Sequence, residues 1–167
     1  MALHTVLYFP DPRLRIKAKR VDSIDEHVQQ LINDMFETMY AHNGVGLAAT
    51  QINIPLRLVV VDYSNDRSAP HCLINPEILH RSGEQVSEEG CLSVPGHYDK
   101  VIRAAQIKLR FMDPEGEIHD LAIDGHLAAC YQHEIDHLDG KLFIDYLSRL
   151  KQQRIRERLE KVRHSTL

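Results

Sequence analysis

The sequence predicts an α+β fold, a single domain in which mixed or antiparallel β-sheets pack around a central helix, with a further helix at the C-terminal end. Apolar residues recur at helical spacing towards both ends of the chain, whereas Val- and Leu-rich runs cluster in its middle. These runs do not alternate with helices as in a doubly wound sheet. At 167 residues, 43% of them hydrophobic, the chain suffices for one core, so residues 1–167 are assigned to one domain.

The first helix is predicted over residues 23–44. Ser23 and Glu26 have the spacing of a capping box, and Asn43 followed by glycine supplies the stop. Between these ends, apolar residues recur every three or four positions: Val28, Leu31, Ile32, Met35, Phe36 and Met39.

Four strands are predicted next. The run 56–63 is rich in Val and Leu, and the run 72–79 contains Pro76, which places it at a sheet edge or at a bulge. The runs 101–112 and 117–123 flank the sequence Asp-Pro-Glu-Gly, which is typical of a tight turn, so we expect them to form a hairpin.

Two helices complete the chain. Asp124 can cap a helix that runs to residue 138 and stops at Asp139–Gly140, and a last helix is expected over 148–163. The apolar residues expected on one side of this last helix are Leu150, Ile155, Leu159 and Val162.

Charge is distributed unevenly. Residues 149–164 contain seven Lys or Arg and two Glu, a net charge of +5, on a chain whose net charge is −4. This basic C-terminal helix suggests an anionic partner such as nucleic acid, although a charged run can also be only a solvated helix face.

Composition also bears on location and cysteine chemistry. The apolar runs are much shorter than the ~20 residues of a membrane span, and no export signal is recognisable, so we expect a cytoplasmic protein without membrane contact. An odd number of cysteines, Cys72, Cys91 and Cys130, favours reduced thiols or metal ligation over a disulfide framework.

A possible metal site lies in the helix predicted to end at residue 138. His133 and His137 are four residues apart, which places them on one helix face where one metal ion can contact both. Glu134 lies beside them and could act as the base for a bound water. A solvated helix with incidental polar pairs is the alternative. His126 and Cys130 share the stripe but lie too far along it, so they are assigned to a pocket wall or to packing.

A catalytic metal also needs a third protein ligand. Cys91 is the best candidate, because it stands in a predicted glycine-containing turn, 88–93, although a lone cysteine can also be a small core residue. A second glycine-containing segment, 44–51, permits close backbone approach to a ligand but lacks the phosphate-binding patterns of a P-loop or a dinucleotide site. A helix stop followed by a packed turn is the alternative there.

Taken together, three segments resemble the three signature motifs of bacterial-type peptide deformylases. The segments are Gly-Val-Gly-Leu-Ala-Ala-Thr-Gln (44–51), Glu-Gly-Cys-Leu-Ser (89–93) and Gln-His-Glu-Ile-Asp-His-Leu-Asp-Gly (132–140). The resemblance implies a metal-dependent hydrolase that removes the N-formyl group from the formyl-methionine of new proteins and releases formate. It implies Cys91, His133 and His137 as ligands of one Fe²⁺ per chain, which Ni²⁺, Co²⁺ or Zn²⁺ could replace.

The resemblance also implies roles around that metal. Glu134 would accept a proton from the attacking water and later deliver one to the leaving amine, while the Leu92 N–H and the Gln51 amide would stabilise the oxyanion. The remaining residues implied to contact the substrate are Val45, Gly46, Gly90, His126, Ala129 and Cys130.

Some positions depart from the family pattern. His126 and Ala129 replace larger aliphatic residues that are frequent in bacterial relatives, and Ser87 stands where an aliphatic residue is common, so the selectivity of the pocket is less defined than its catalytic residues. The expected partners are N-formylmethionyl nascent peptides and the ribosome, which the basic C-terminal helix would approach.

Two other functions compete. The His-Glu-x-x-His pattern also occurs in zinc peptidases, but a further histidine ligand expected downstream is replaced by Phe143. A non-catalytic module with a structural metal would need a fourth protein ligand, and the sequence offers no obvious one.

Overall fold

Strand pairing divides the chain into two antiparallel sheets. The computed structural model describes residues 2–165, and side chains up to Lys161. Its strands are β1 (Gly46–Ala48), β2 (Leu58–Asp62), β3 (Pro70–Ser82), β4 (Gln85–Cys91), β5 (Val94–Arg103), β6 (Gln106–Met112) and β7 (Ile118–Asp124), and its helices are α1 (Glu26–Ala41), α2 (Gly125–Leu138) and α3 (Arg149–Ser165). One sheet has the order β1-β2-β3-β6-β7, and β4 pairs only with β5. The predicted α+β class is therefore confirmed.

The larger sheet is covered by α1 on one face and by α2 on the other. Alternate residues of β2 point to opposite faces, so Leu58 and Val60 join the cluster around α1, whereas Val59 and Val61 join the cluster around α2. All four are completely buried. Burial on both faces explains why β2 is an unbroken apolar run. A third cluster contains residues of β5, α3 and the segment before α3.

Helix α1 begins later than predicted. Its N-cap is Asp25, whose Oδ1 accepts a hydrogen bond of 2.9 Å from the Val28 N–H, so the prediction that Ser23 caps the helix is wrong. Asp25 lies nearer the first apolar residue of the repeat than Ser23 does, and aspartate and serine both cap helices well. The predicted stop is confirmed in position, since the helix ends at Ala41 and Asn43 adopts a positive φ of 56°.

The single strand predicted over 101–112 is wrong. β5 ends at Arg103 and β6 begins at Gln106, so the chain crosses from one sheet to the other between them. The crossover is fixed by a side chain, because Gln132 accepts from the Ala104 N–H and donates to the Ala104 carbonyl, both at 3.0 Å. The partner is distant in sequence, which is why local pattern cannot reveal the break.

Other strands were missed or differ in length. β1 has three residues and β4 is largely polar, and neither was predicted. β2 is shorter than the predicted run 56–63, while β3 is longer than 72–79. The bulge predicted at Pro76 is confirmed, since the β3–β6 register shifts between Ile74 and Glu77. The hairpin of β6 and β7 is also confirmed.

The C-terminal helices agree with the sequence in part. Asp124 is the N-cap residue of α2, but its side chain makes no capping hydrogen bond. Gly140 follows α2 with φ 76°, as its predicted stop requires. In α3, Ile155 and Leu159 are buried as predicted, whereas Leu150 is 59% exposed, so its assignment to the packed side is wrong. Val162 lies outside the described side chains.

Among the described residues, no helix is long and apolar enough to cross a bilayer.

Candidate metal centre and substrate pocket

Three potential metal ligands converge where α2 passes the end of β4. Helix α2 presents His133 and His137 one turn apart, and Cys91 is the last residue of β4. The Cys91 Sγ lies 3.3 Å from the His137 Nε2, and the three ligand atoms all lie within 4.8 Å of one another. The turn predicted over 88–93 is confirmed only for its last two residues, 92 and 93. The residues before them, up to Cys91, belong to strand β4.

A buried ion pair orients His133. The Glu89 Oε1 lies 2.9 Å from the His133 Nδ1, which leaves the Nε2 for the metal site. Arg103 binds both oxygens of Glu89, at 2.7 and 2.9 Å. Although burial alone would raise it, the hydrogen bonds from Arg103 and then from His133 lower the pKa of Glu89 to about 2. Glu89 therefore remains an acceptor throughout the physiological pH range.

The ion pair continues to the surface. Arg103 donates to Asp136 over 2.7 Å, and Asp136 also accepts from the Tyr146 hydroxyl over 2.7 Å. The Arg103 guanidinium lies 4.9 Å from the centre of the Tyr146 ring, a cation–π distance. Sequence reasoning assigned no role to Arg103, Asp136 or Tyr146, because nothing in the local pattern connects them with the histidines.

The second histidine is suited to metal binding. His137 is 1% exposed, and its Nδ1 has no hydrogen-bond partner among the described residues. Burial, followed by the charge of His133, keeps the pKa of His137 well below its usual range, so its imidazole is neutral. One cysteine sulfur and two imidazoles form a donor set that Fe²⁺, Zn²⁺, Ni²⁺ and Co²⁺ accept, so these residues fit a catalytic divalent metal.

Glu134 lies at the bottom of the pocket beside the ligands. Its Oε1 is buried without a hydrogen-bond partner among the described residues, and lies 4.0 Å from the His137 Nε2. Burial raises the pKa of Glu134 to about 7. β1 passes directly over this carboxylate, because a methyl group on Gly46 would collide with the Glu134 Oε2. Only glycine permits this approach.

Gln51 is held rigidly beside Cys91. Its Oε1 accepts from the Ala48 N–H over 2.9 Å, and its Nε2 donates to the Ser93 hydroxyl over 3.1 Å. The same Nε2 lies 3.5 Å from the Cys91 Sγ. Because Ala48 fixes the oxygen end of the amide, the nitrogen end is directed towards the candidate metal centre.

A cavity of about 470 Å³ opens over this centre. It brings together nearly all residues that the sequence singled out. Those that line it are Val45, Gly46, Gln51, Gly90, Cys91, Leu92, His126, Ala129, Cys130, His133 and Glu134. Tyr63, Ser87 and Tyr98 line it as well, and of these sequence reasoning had noted only Ser87.

The three cysteines have separate environments, and none forms a disulfide. Cys72 lies in the core next to α1, away from the pocket, and burial raises the pKa of its thiol to about 12. Burial also raises the pKa of Cys130, which lines the pocket on α2. Of the three, Cys91 is the one whose sulfur meets the histidines.

Comparison with known proteins agrees with this geometry. Residues 3–153 match the model of the polypeptide deformylase family. The chain is 56% identical over 166 residues to a peptide deformylase of Xylella fastidiosa strain M12, covering 98% of each chain, and 53% identical over 161 residues to one of Nitrosococcus oceani, covering 96% of each.

Solved structures have the same fold. A peptide deformylase from Legionella pneumophila superimposes with a TM-score of 0.93 at 49% identity, covering 99% of this chain and 98% of that one. The enzyme from Ehrlichia chaffeensis in complex with actinonin gives a TM-score of 0.91 at 37% identity, covering 96% of this chain and 98% of that one. The chain thus belongs to the peptide deformylase family, the metal-dependent hydrolases that remove N-formyl groups from nascent peptides.

Proposed function

We propose that this protein hydrolyses the formamide bond of N-formylmethionyl peptides, releases formate, and does so in the cytoplasm where new chains emerge. The observation that carries the proposal is the convergence of Cys91, His133 and His137 beside the unpartnered carboxylate of Glu134, at the bottom of an open pocket. A peptidase would share the histidines and Glu134, but the family comparisons do not favour that alternative.

One metal ion per chain completes the site. We propose Fe²⁺, with Ni²⁺, Co²⁺ or Zn²⁺ as substitutes, held by Cys91, His133 and His137, because these metals accept one thiolate and two imidazoles. When bound, such an ion supplies Lewis-acid activation of a water and of the formyl carbonyl. Arg103 and Glu89 hold the His133 ring in the orientation that this ligand set requires.

Glu134 moves the protons of the reaction. Burial raises the pKa of Glu134 towards neutral pH, where a carboxyl group can both accept and donate a proton. Its Oε1 has no competing hydrogen bond among the described residues. Glu134 therefore accepts a proton from the attacking water and delivers one to the departing methionine amine.

Two donors meet the negative charge that develops on the formyl oxygen. The Gln51 Nε2 is held next to Cys91, and the Leu92 N–H lies in the turn directly after this ligand. Both residues line the pocket. Because Ala48 and Ser93 hold the Gln51 amide in place, this donor stabilises the oxyanion without reorganising during the reaction.

The peptide binds as an added strand. β1 lies at the edge of the larger sheet and pairs only with β2 within it, so its other edge can hydrogen-bond an extended chain. Val45 and Gly46 offer that edge on one side of the pocket, and Gly90 offers backbone on the other. We assign the methionine side chain to the wall formed by His126, Ala129 and Cys130.

The basic helix α3 is proposed to approach the ribosome. Its exposed face carries Lys and Arg residues that rRNA phosphates would attract, so the contact should weaken with salt. Co-sedimentation with ribosomes at low salt and release at high salt would support the contact. Its absence at low salt would reject it.

The first experiment measures formate release from formyl-Met-Ala-Ser by protein purified without oxygen, with the metal content determined on the same sample. We expect release with about one metal per chain. The Glu134→Gln variant is the matched control, since it keeps the shape of the side chain and should retain the metal without turnover. Failure to release formate after loading with Fe²⁺, Ni²⁺ or Co²⁺ would refute the proposal, and cleavage of an unformylated internal peptide bond would indicate a peptidase.

A further inference from the structure

A second cavity lies beside the substrate pocket and shares a wall with it. This cavity has a volume of about 240 Å³ and is bounded by β5, α3 and the segment between α2 and α3. The Tyr98 side chain lines both cavities, and its ring lies so close to Gly90 that a methyl group there would collide with it. Tyr98 is 74% exposed, so its ring is accessible to a peptide that leaves the pocket along Gly90.

The floor of the second cavity is apolar and lies next to the candidate metal centre. Phe143 is 1% exposed, lines the cavity, and stacks on the His133 ring at a centroid distance of 6.0 Å. One aromatic ring therefore separates the cavity from a metal ligand. Ile155 and Leu147 extend this apolar surface, which suits the carbon stem of a side chain.

The rim of the second cavity is cationic. Arg154 and Arg158 line it one turn apart on α3, both are exposed, and neither belongs to a salt bridge formed between the described side chains. The Asp99 carboxylate also lines the cavity, but Lys151 neutralises it over 2.9 Å. Burial, followed by the charge of Arg158, lowers the pKa of His97, and both residues line the cavity. Two guanidinium groups thus remain unmatched.

We propose that this second cavity is a further substrate subsite, which binds a side-chain carboxylate at the third or fourth residue of the formylated peptide. Guanidinium groups are the cations best suited to bind a carboxylate through paired hydrogen bonds. An extended residue advances about 3.3 Å, so crossing the Tyr98 ring requires at least two residues beyond methionine. The proposal rests on the proposed deformylase activity, because it assumes that a formylated peptide occupies the first pocket.

The surroundings favour a peptide over nucleic acid as the occupant. The second cavity is concave, has an apolar floor, and shares the lining residue Tyr98 with the substrate pocket. A phosphate backbone needs none of these features and would be bound as well by the convex, exposed face of α3. The test must therefore distinguish RNA binding at Arg154 and Arg158 from binding of a peptide carboxylate.

The test compares deformylation rates for matched peptides. Formyl-Met-Ala-Asp-Ala-amide and formyl-Met-Ala-Ala-Asp-amide are each compared with the corresponding Asn peptide at low salt, and the amidated C-terminus removes a competing carboxylate. We expect the Asp peptide of one pair to have a roughly three- to fivefold higher kcat/KM, mainly through a lower KM. The double variant Arg154→Gln/Arg158→Gln should reduce that ratio to one. The double variant Arg149→Gln/Lys161→Gln removes the same charge from α3 outside the cavity and should preserve it.

Each outcome has a distinct meaning. If no peptide releases formate, the proposed function fails, whereas release with equal Asp and Asn rates in wild-type protein overturns the second subsite alone. An Asp preference that survives in Arg154→Gln/Arg158→Gln also overturns it. Loss of RNA binding in that variant, without any Asp preference in the wild type, would assign the cavity to nucleic acid instead.

Discussion

Replacing Gly46 with alanine should disable the enzyme by displacing one carboxylate. The new methyl carbon would lie 2.8 Å from the carboxyl carbon of Glu134 and 3.0 Å from its Cγ. Ordinary contacts between carbon atoms are about 3.5–4.0 Å, so the Glu134 side chain must retreat by roughly 0.7–1 Å. Gly46 lies in β1 and does not have the positive φ of five other glycines, so alanine introduces no backbone strain and the effect is steric.

The expected loss follows from the sensitivity of proton transfer to position. A displacement of about 1 Å in a catalytic group can reduce the rate about 100-fold, so we expect kcat/KM for formyl-Met-Ala-Ser to fall by about that factor in Gly46→Ala. The three heavy atoms nearest the new methyl group all belong to Glu134, so metal content should stay near one per chain. The assay is formate release, with metal content and thermal unfolding measured on the same sample.

Gly44→Ala, two residues before Gly46, is the matched control. Its methyl group would meet the Leu92 Cδ1 at 2.8 Å, the far end of a side chain that can rotate away, and should therefore reduce activity much less. Full activity in Gly46→Ala would refute the assigned position of Glu134. Equal losses in both variants would show that this segment tolerates no added side chain at either position, and the displacement of the Glu134 carboxylate would not be the cause.

Three further predictions concern other residues. Gln51→Ala should reduce turnover roughly 100- to 1,000-fold while the metal stays bound, and near-normal rates would exclude Gln51 as an oxyanion donor. The Tyr40 hydroxyl donates a hydrogen bond of 2.5 Å to the Asp62 carboxylate. Burial would raise the pKa of Asp62, but hydrogen bonds from Ser64 and Tyr40 outweigh burial and lower it. The ionised Asp62 therefore stabilises the fold above pH ~4, and this contribution is lost as pH falls through the folded-state pKa. Tyr40→Phe should therefore cost about 1–2 kcal/mol of unfolding free energy at pH 7 and less near pH 3, measured with urea, and an equal cost at both would contradict this linkage. Cys72 should resist iodoacetamide at pH 8 in native protein, because its thiol pKa is about 12, and modification at that residue, located by mass spectrometry, would show that its burial is incomplete.

The sequence could predict what depends on regular spacing. His133 and His137 follow from helical periodicity, and the helices themselves follow from apolar repeats, since both are local properties of the chain. Sequence spacing made Cys91 only a candidate ligand, because the two histidines lie more than 40 residues away along the chain. The family resemblance then implied Cys91 as a ligand. The break after Arg103 could not be predicted, because it depends on Gln132, a side chain from α2 that binds the crossover backbone.

The local sequence pattern also could not predict how the proposed ligand His133 is oriented. Arg103 is 5% exposed and lies near the start of the strand predicted over 101–112, yet it holds Glu89, which holds His133. A buried ion pair is weak evidence of stabilisation, because desolvation of the charges offsets most of their attraction. Its position directly behind a proposed metal ligand indicates that it fixes the ring orientation and tautomer of His133.

Directional polar contacts, rather than apolar packing, determine how α2 presents its histidines. Hydrophobic burial places the helix against the sheet but is non-directional, so it tolerates small rotations and shifts along the helix axis. Three side chains from other elements remove this freedom: Thr50 donates to the His137 carbonyl over 3.1 Å, Arg57 donates to the carbonyl that follows over 3.2 Å, and Arg103 binds the carboxylate next to His137. Thr50 immediately precedes Gln51, so the segment that fixes the helix also carries a proposed catalytic donor. The hydrogen bond from Thr50 thus links the position of the proposed donor Gln51 to that of the proposed ligand His137.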